Sequence, residues 1–85
     1  MRTKQIGTVE VSTDGRTVWV NSDSAGAVGR FGKVGIDIHN RNNDSCENCG
    51  PHQGNYRQSW SNFRRGIMKV HGMMVPDDFK PPWVG

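Results

Sequence analysis

No stretch of this chain approaches the roughly 20 apolar residues that a membrane-spanning helix needs. Its N-terminus also lacks the apolar segment of a secretory leader. The expectation is an intracellular protein. Cysteine is scarce: Cys46 and Cys49 are too few for a secreted disulfide framework. In a reducing compartment a close pair of thiols more often binds metal. Apolar residues are scarce as well, at 33% of 85 residues with a mean hydropathy of -0.73. A chain this short forms one domain with a thin core. Such domains are often held by a metal, a disulfide or a partner.

Charge of one sign is not concentrated enough to demand a partner class. The net charge is +3 and the pI about 9.2. That permits contact with nucleic acid or an acidic protein without requiring either. Arg57, Arg64, Arg65 and Lys69 form the one basic cluster, on what reads as a helix. No Ser/His/Asp set, P-loop or Rossmann fingerprint occurs, so catalysis is not expected.

What is present is alternation. Val9 and Val11 alternate with polar residues, as do Val18 and Val20, on either side of Asp14-Gly15. A two-residue turn at Asp14-Gly15 sets Val11 opposite Val18 and Val9 opposite Val20. The four valines then share one face, and Glu10 meets Trp19 on the other. A second hairpin is expected around Gly32-Lys33, pairing Phe31 with Val34, Gly29 with Ile36 and Ala27 with Ile38. Its reverse face carries Arg30, Asp37 and His39. Glycine inside a strand, as at Gly29 and Gly35, signals a bulge or a close backbone approach.

Tyr56, Trp60, Phe63, Ile67 and Val70 recur at spacings of three and four, the apolar stripe of a helix over 56–71. Asn55 with Gln58 resembles a capping box, and Gly72 fits the C-terminal cap. Gly66, mid-helix, suggests close packing there. The fold class is α+β: two β-hairpins forming an antiparallel sheet over 6–39, packed against one C-terminal amphipathic helix. A long Cys/His loop spans 40–55. A proline-rich extended tail, 73–85, brings Phe79 and Trp83 to the body or to a partner.

Cys46-Glu-Asn-Cys49-Gly50 holds two thiols at zinc-ligand spacing, with a glycine that permits a tight turn. His52 is the expected third ligand, and His39 or His71 the fourth. Zinc would then fasten the long loop to the sheet or the helix. Trp19, on the polar sheet face, is a contact candidate unless the tail covers it, which is the favoured reading. Gly29 to Gly35 is slightly like an aromatic strand of an RNA-recognition motif, but the pairing above buries Phe31. The knuckle followed by Val70-His71-Gly72 is like a fragment of an HNH metal nuclease, without that family's second cysteine pair.

The run RFGKVGIDIH, the CENC knuckle, Trp60 and Phe63, and HGMMVPDDFKPPW resemble small uncharacterised proteins of bacteriophages and prophages. The resemblance covers about the last two thirds of the chain. It implies a non-enzymatic accessory protein that occludes or redirects a host protein complex, such as a defence or transcription machine, in the bacterial cytoplasm. Trp19, Arg57, Arg64 and Arg65 are the expected contacts, with Phe79 and Trp83 behind them. A nucleic-acid module using Trp19 and the basic helix face is the alternative, and a metal nuclease the third reading.

Overall fold

Hairpin signals and a single amphipathic stripe should give a sheet covered on one face. The computed structural model describes residues 7–85 and has that arrangement. Ile6, the expected first sheet residue, lies outside the described residues. Five strands follow in order: β1 (Gly7–Val11), β2 (Val18–Ser22), β3 (Gly26–Phe31), β4 (Ile36–His39) and β5 (Cys46–Gly50). They form one antiparallel meander, each strand beside its sequence neighbours. The helix α1 (Tyr56–His71) crosses one face.

The first hairpin has the expected register, with Val9 opposite Val20, Glu10 opposite Trp19 and Val11 opposite Val18. The turn itself differs. Ser12 and Thr17 pair through Ser12 N to Thr17 O (2.9 Å), and Gly15 N donates to Ser12 O (2.8 Å). Gly15 takes a positive φ of 74° but Asp14 does not, so this is not the type I′ turn, which needs both. Asp14 instead accepts from Ser12 Oγ (2.5 Å) and Arg16 N (3.0 Å). The Ser12 bond, foremost, holds its carboxyl below the usual range. Val18 and Val20 are fully buried, whereas Val11, on the edge strand, is 37% exposed.

The second hairpin departs from expectation by two residues. Phe31 lies opposite Ile36, Arg30 opposite Asp37 and Gly29 opposite Ile38. Gly32 N donates to Gly35 O (3.0 Å), so residues 32–35 form the loop. Val34 sits at its tip, 88% exposed. A shift of two keeps each side chain on its face, so Phe31, Ile36 and Ile38 still point inward. Ala27 does not. A bulge between β2 and β3 pairs Val20 with Gly29 and Asn21 with Ala27, which makes Val28 the extra, buried residue.

The helix spans the expected residues. Asn55 Oδ1 accepts from Gln58 N (2.8 Å). Gln58 bonds Asn62 instead of reaching back, so only half of the capping box forms. Gly72 closes the C-terminus at φ 66°. Trp60, Phe63 and Ile67 pack on Val18, Val20, Val28, Phe31, Ile36 and Ile38. Two glycines let the layers approach. A Cβ on Gly66 would meet Ile38 Cδ1 at 2.5 Å, and one on Gly29 would meet Ile67 Cδ1 at 2.7 Å. Each layer thus seats an isoleucine in a notch of the other.

The tail is less extended than expected. It forms two single 3-10 turns, Asp77–Phe79 and Pro82–Val84, on the helix side. Met73, Val75, Pro81 and Val84 are buried. Trp60 Nε1 donates to Asp77 Oδ1 (2.8 Å). Trp83 lies parallel to the Phe31 ring (centroids 5.2 Å apart) and donates to Arg16 O (2.8 Å).

Candidate functional site

Residues 40–55 hold a strand as well as loop. In a regular strand, residues three apart face opposite ways. β5 breaks that rule with a bulge against β4: His39 pairs with Cys46, Ile38 with Asn48 and Asp37 with Cys49, leaving Glu47 extra. The bulge brings Cys46 and Cys49 to the face that carries Asp37 and His39, away from the helix. Their sulfurs are joined as a disulfide, with the Cα atoms 5.8 Å apart. The cysteines expected as zinc-binding thiols are thus bonded to each other here.

His39 completes the group. Ligand atoms of His39, Cys46 and Cys49 all lie within 4.8 Å of one another, a set able to hold a metal ion. His39 Nδ1 is 2.6 Å from Asn43 Oδ1. Asn43 Nδ2 in turn donates to Ala25 O (3.0 Å), which orients the amide. Asn43 is the one described non-glycine residue at positive φ, 58°. The turn around it is tied by Asn40, whose Oδ1 accepts from Asn42 N and Asp44 N (both 3.1 Å).

The other expected ligands are elsewhere. His52 lies between sheet and helix: Nε2–H donates to Gly32 O (2.7 Å) and Nδ1 bonds Ser59 Oγ (2.6 Å). Both ring nitrogens are occupied, and the ring packs against Phe31, Tyr56 and Trp83. His71 is buried and donates from Nε2 to His39 O (2.9 Å). Loss of solvent, foremost, lowers its pKa. It links the helix end to β4 and is not presented to a substrate. Arg41 Nε reinforces that link through Val70 O (3.2 Å).

Beside the group runs a row across the sheet: Glu10, Trp19, Arg30, Asp37 and Cys49. Arg30 and Asp37 form an ion pair at 2.9 Å, both partly exposed. Trp19, half-buried, borders a shallow hollow of about 200 Å³ with Arg30, Asp37 and His39. The tail does not cover it, contrary to expectation, because Trp83 is held against Phe31 on the other side.

The expected contacts therefore divide. Trp19 is on the outer sheet face, and the helix arginines are on the opposite side of the molecule. Arg64 holds the tail, through Val75 O (2.6 Å) and Asp77 (3.8 Å). Arg65 bonds Asn62 (2.9 Å), and Arg57 is exposed near Gly85. Phe79 is half-buried beside Met74 and Pro76. Sequence reasoning missed Asn43; its position four residues after His39 in a turn-rich segment was the available signal. No described helix is long and apolar enough to cross a membrane.

No family model matches the chain, and neither the curated proteins nor the solved structures give a match.

Proposed function

We propose that this is a non-enzymatic, phage-type binding protein that docks on a host protein through the outer face of its sheet. Trp19 is the anchor, and a zinc ion held at the His39, Cys46 and Cys49 group, once the two cysteines are reduced, fastens the neighbouring edge. The observation that carries this reading is Trp19 itself. It stands on the sheet face away from the helix, between Glu10 and Arg30, and the hollow it borders is lined by strand residues alone. A tryptophan so placed has the character of an interface hot spot, offering a large apolar surface at little entropic cost. Its neighbours carry both signs, Glu10 and Asp37 against Arg30. A phosphate backbone needs cations of one sign, so the mixed row favours a protein partner. The phage-type resemblance supplies the host protein and the bacterial cytoplasm.

Capture from bacterial lysate with purified wild-type, Trp19→Ala and Arg57→Ala/Arg65→Ala proteins tests the reading. A protein partner should be retained by wild type and by the double arginine variant, and lost with Trp19→Ala. Capture that survives Trp19→Ala but fails without the two arginines overturns the assignment. So does steeply salt-dependent binding to DNA or RNA with no protein partner.

A further inference from the structure

We infer that the His39, Cys46 and Cys49 group is a redox-gated zinc site, open only when the Cys46–Cys49 bond is reduced, and that Asn43 sets His39 as its imidazole ligand. The inference rests on the zinc reading above and specifies how that site works.

Three observations converge. The disulfide consumes both sulfurs that would serve as ligands. Zinc takes thiolates, so a disulfide and a two-thiolate zinc site exclude each other. Next, the spacing is close to what the reduced site needs. Tetrahedral zinc holds two thiolates about 3.8 Å apart, and a thiolate and an imidazole nitrogen about 3.5 Å apart, from its usual bond lengths. Both sulfurs and one ring nitrogen of His39 already lie within 4.8 Å of one another. Separating the sulfurs disturbs no core residue, because every residue of β5 is exposed.

The third observation is the hydrogen bond to His39. Asn43 Nδ2 is committed to Ala25 O, so its Oδ1 must accept, and His39 Nδ1 must donate. That places the hydrogen of the neutral ring on Nδ1 and leaves the lone pair on Nε2. An acceptor behind a ligating histidine sets its tautomer and orientation in just this way. Asn43 is a positioning residue.

The exchange balances. Two thiols of a glutathione-class reductant, or one dithiol, break the Cys46–Cys49 bond and become a disulfide themselves. Two electrons and two protons pass to Cys46 and Cys49. Zinc then displaces both protons and takes one lone pair from each sulfur and one from His39 Nε2. Two thiolates and one imidazole leave a fourth position for water, as in open zinc sites. An oxidised disulfide of the same class reverses the sequence and releases the ion.

Zinc affinity of the full chain, measured by competition with a chromophoric chelator and counted by native mass spectrometry, tests the gate. Reduced wild type should bind one Zn²⁺, and the oxidised protein none. Asn43→Gly keeps the positive φ accessible while removing the acceptor. It should weaken binding of the reduced protein by about 10- to 100-fold. His39→Ala should weaken it more, and His52→Ala should leave it unchanged once folding is verified by circular dichroism. If reduced wild type binds no zinc, the zinc reading itself falls. Equal binding by oxidised and reduced protein removes the gate and leaves zinc in place. Unchanged affinity in folded Asn43→Gly removes only the positioning role.

Discussion

The two faces of the sheet are built from alternate residues of the same strands, yet they obey different rules. On the inner face each position meets the helix, and size decides what is allowed. Ile38 fits because Gly66 has no side chain, and Ile67 fits because Gly29 has none. On the outer face Trp19, Arg30, Asp37 and His39 border a shallow hollow lined by strand residues alone. The inner face spends its residues on stability. The outer face carries the proposed recognition surface. Substitutions should therefore separate the faces by the size and the kind of their effects.

The largest separation is expected between Phe31 and Trp19. Phe31 is fully buried among Trp60, Phe63, His52 and Trp83. Phe31→Ala removes that contact and leaves a cavity, at a cost of about 3–5 kcal/mol. For a domain with total stability on the order of 5–15 kcal/mol that is a large share. Trp19→Ala, one strand away on the other face, should cost much less in urea denaturation while abolishing partner capture. Similar losses of stability from both would erase the distinction.

A double-mutant cycle sharpens the inner face. Gly66→Ala ordinarily stabilises a helix by about 1 kcal/mol. Here its methyl group meets Ile38 Cδ1, and overpacking of this kind costs about 1–3 kcal/mol. Gly66→Ala alone is expected to be destabilising. Ile38→Val deletes the offending carbon, and in that background Gly66→Ala should become neutral or favourable. Additive effects in thermal melts would show that the two residues do not touch.

His71 ties the helix to the sheet, since it sits at the helix end and bonds the backbone of β4. Its pKa is lowered in the folded chain, foremost by loss of solvent. Above the unfolded value, near 6.5, both states are neutral and its contribution to stability is fully present. As pH falls below that value the unfolded chain takes up the proton first, so stability declines. The decline levels off once pH is below the folded pKa. His71→Gln keeps an amide donor for His39 O and removes the titration. In oxidised, chelator-treated protein, denaturation midpoints should fall less with acid in this variant than in wild type. Identical pH profiles would exclude His71 as a source of acid sensitivity.

The faces also differ in how legible they were in the sequence. Period-two valines and a three-and-four stripe identified the first hairpin's register and the helix from Tyr56 to His71, because burial on one side imposes those periods. Gly66 signalled its close neighbour for the same reason. The fifth strand gave no such signal: Cys46 to Gly50 has no β-branched or aromatic residue and buries nothing. Its pairing comes from backbone hydrogen bonds to β4, and backbone bonds leave no trace in side-chain pattern. The candidate metal group was half legible. The Cys46 and Cys49 spacing and His39 were visible, but His52 was expected beside them. Proximity along the chain favoured it, whereas the bulge at Glu47 turns the cysteines to the outer face and His52 points between the layers. The second turn was misplaced because Val34 looked like a core residue. In the structure, the loop of residues 32–35 instead lifts Lys33 over the rings of Tyr56 and Trp83, at 4.5 and 5.0 Å.

The smallest expected effect concerns the outer face itself. Arg30 and Asp37 pair at 2.9 Å but are 49% and 35% exposed. Water screens such a pair and each side chain loses freedom in forming it, so it contributes about 1 kcal/mol or less to stability. Arg30→Ala should barely move the denaturation midpoint. Its effect should appear in recognition, because Arg30 lies directly opposite Trp19 and lines the same hollow. Association with the captured partner should slow and lose part of its dependence on salt, as expected when a charge that guides encounter is removed. A stability loss comparable to that of Phe31→Ala, with unchanged association, would mean that this pair acts as a structural clamp. The outer face would then share the inner face's role, and the contrast between them would not hold.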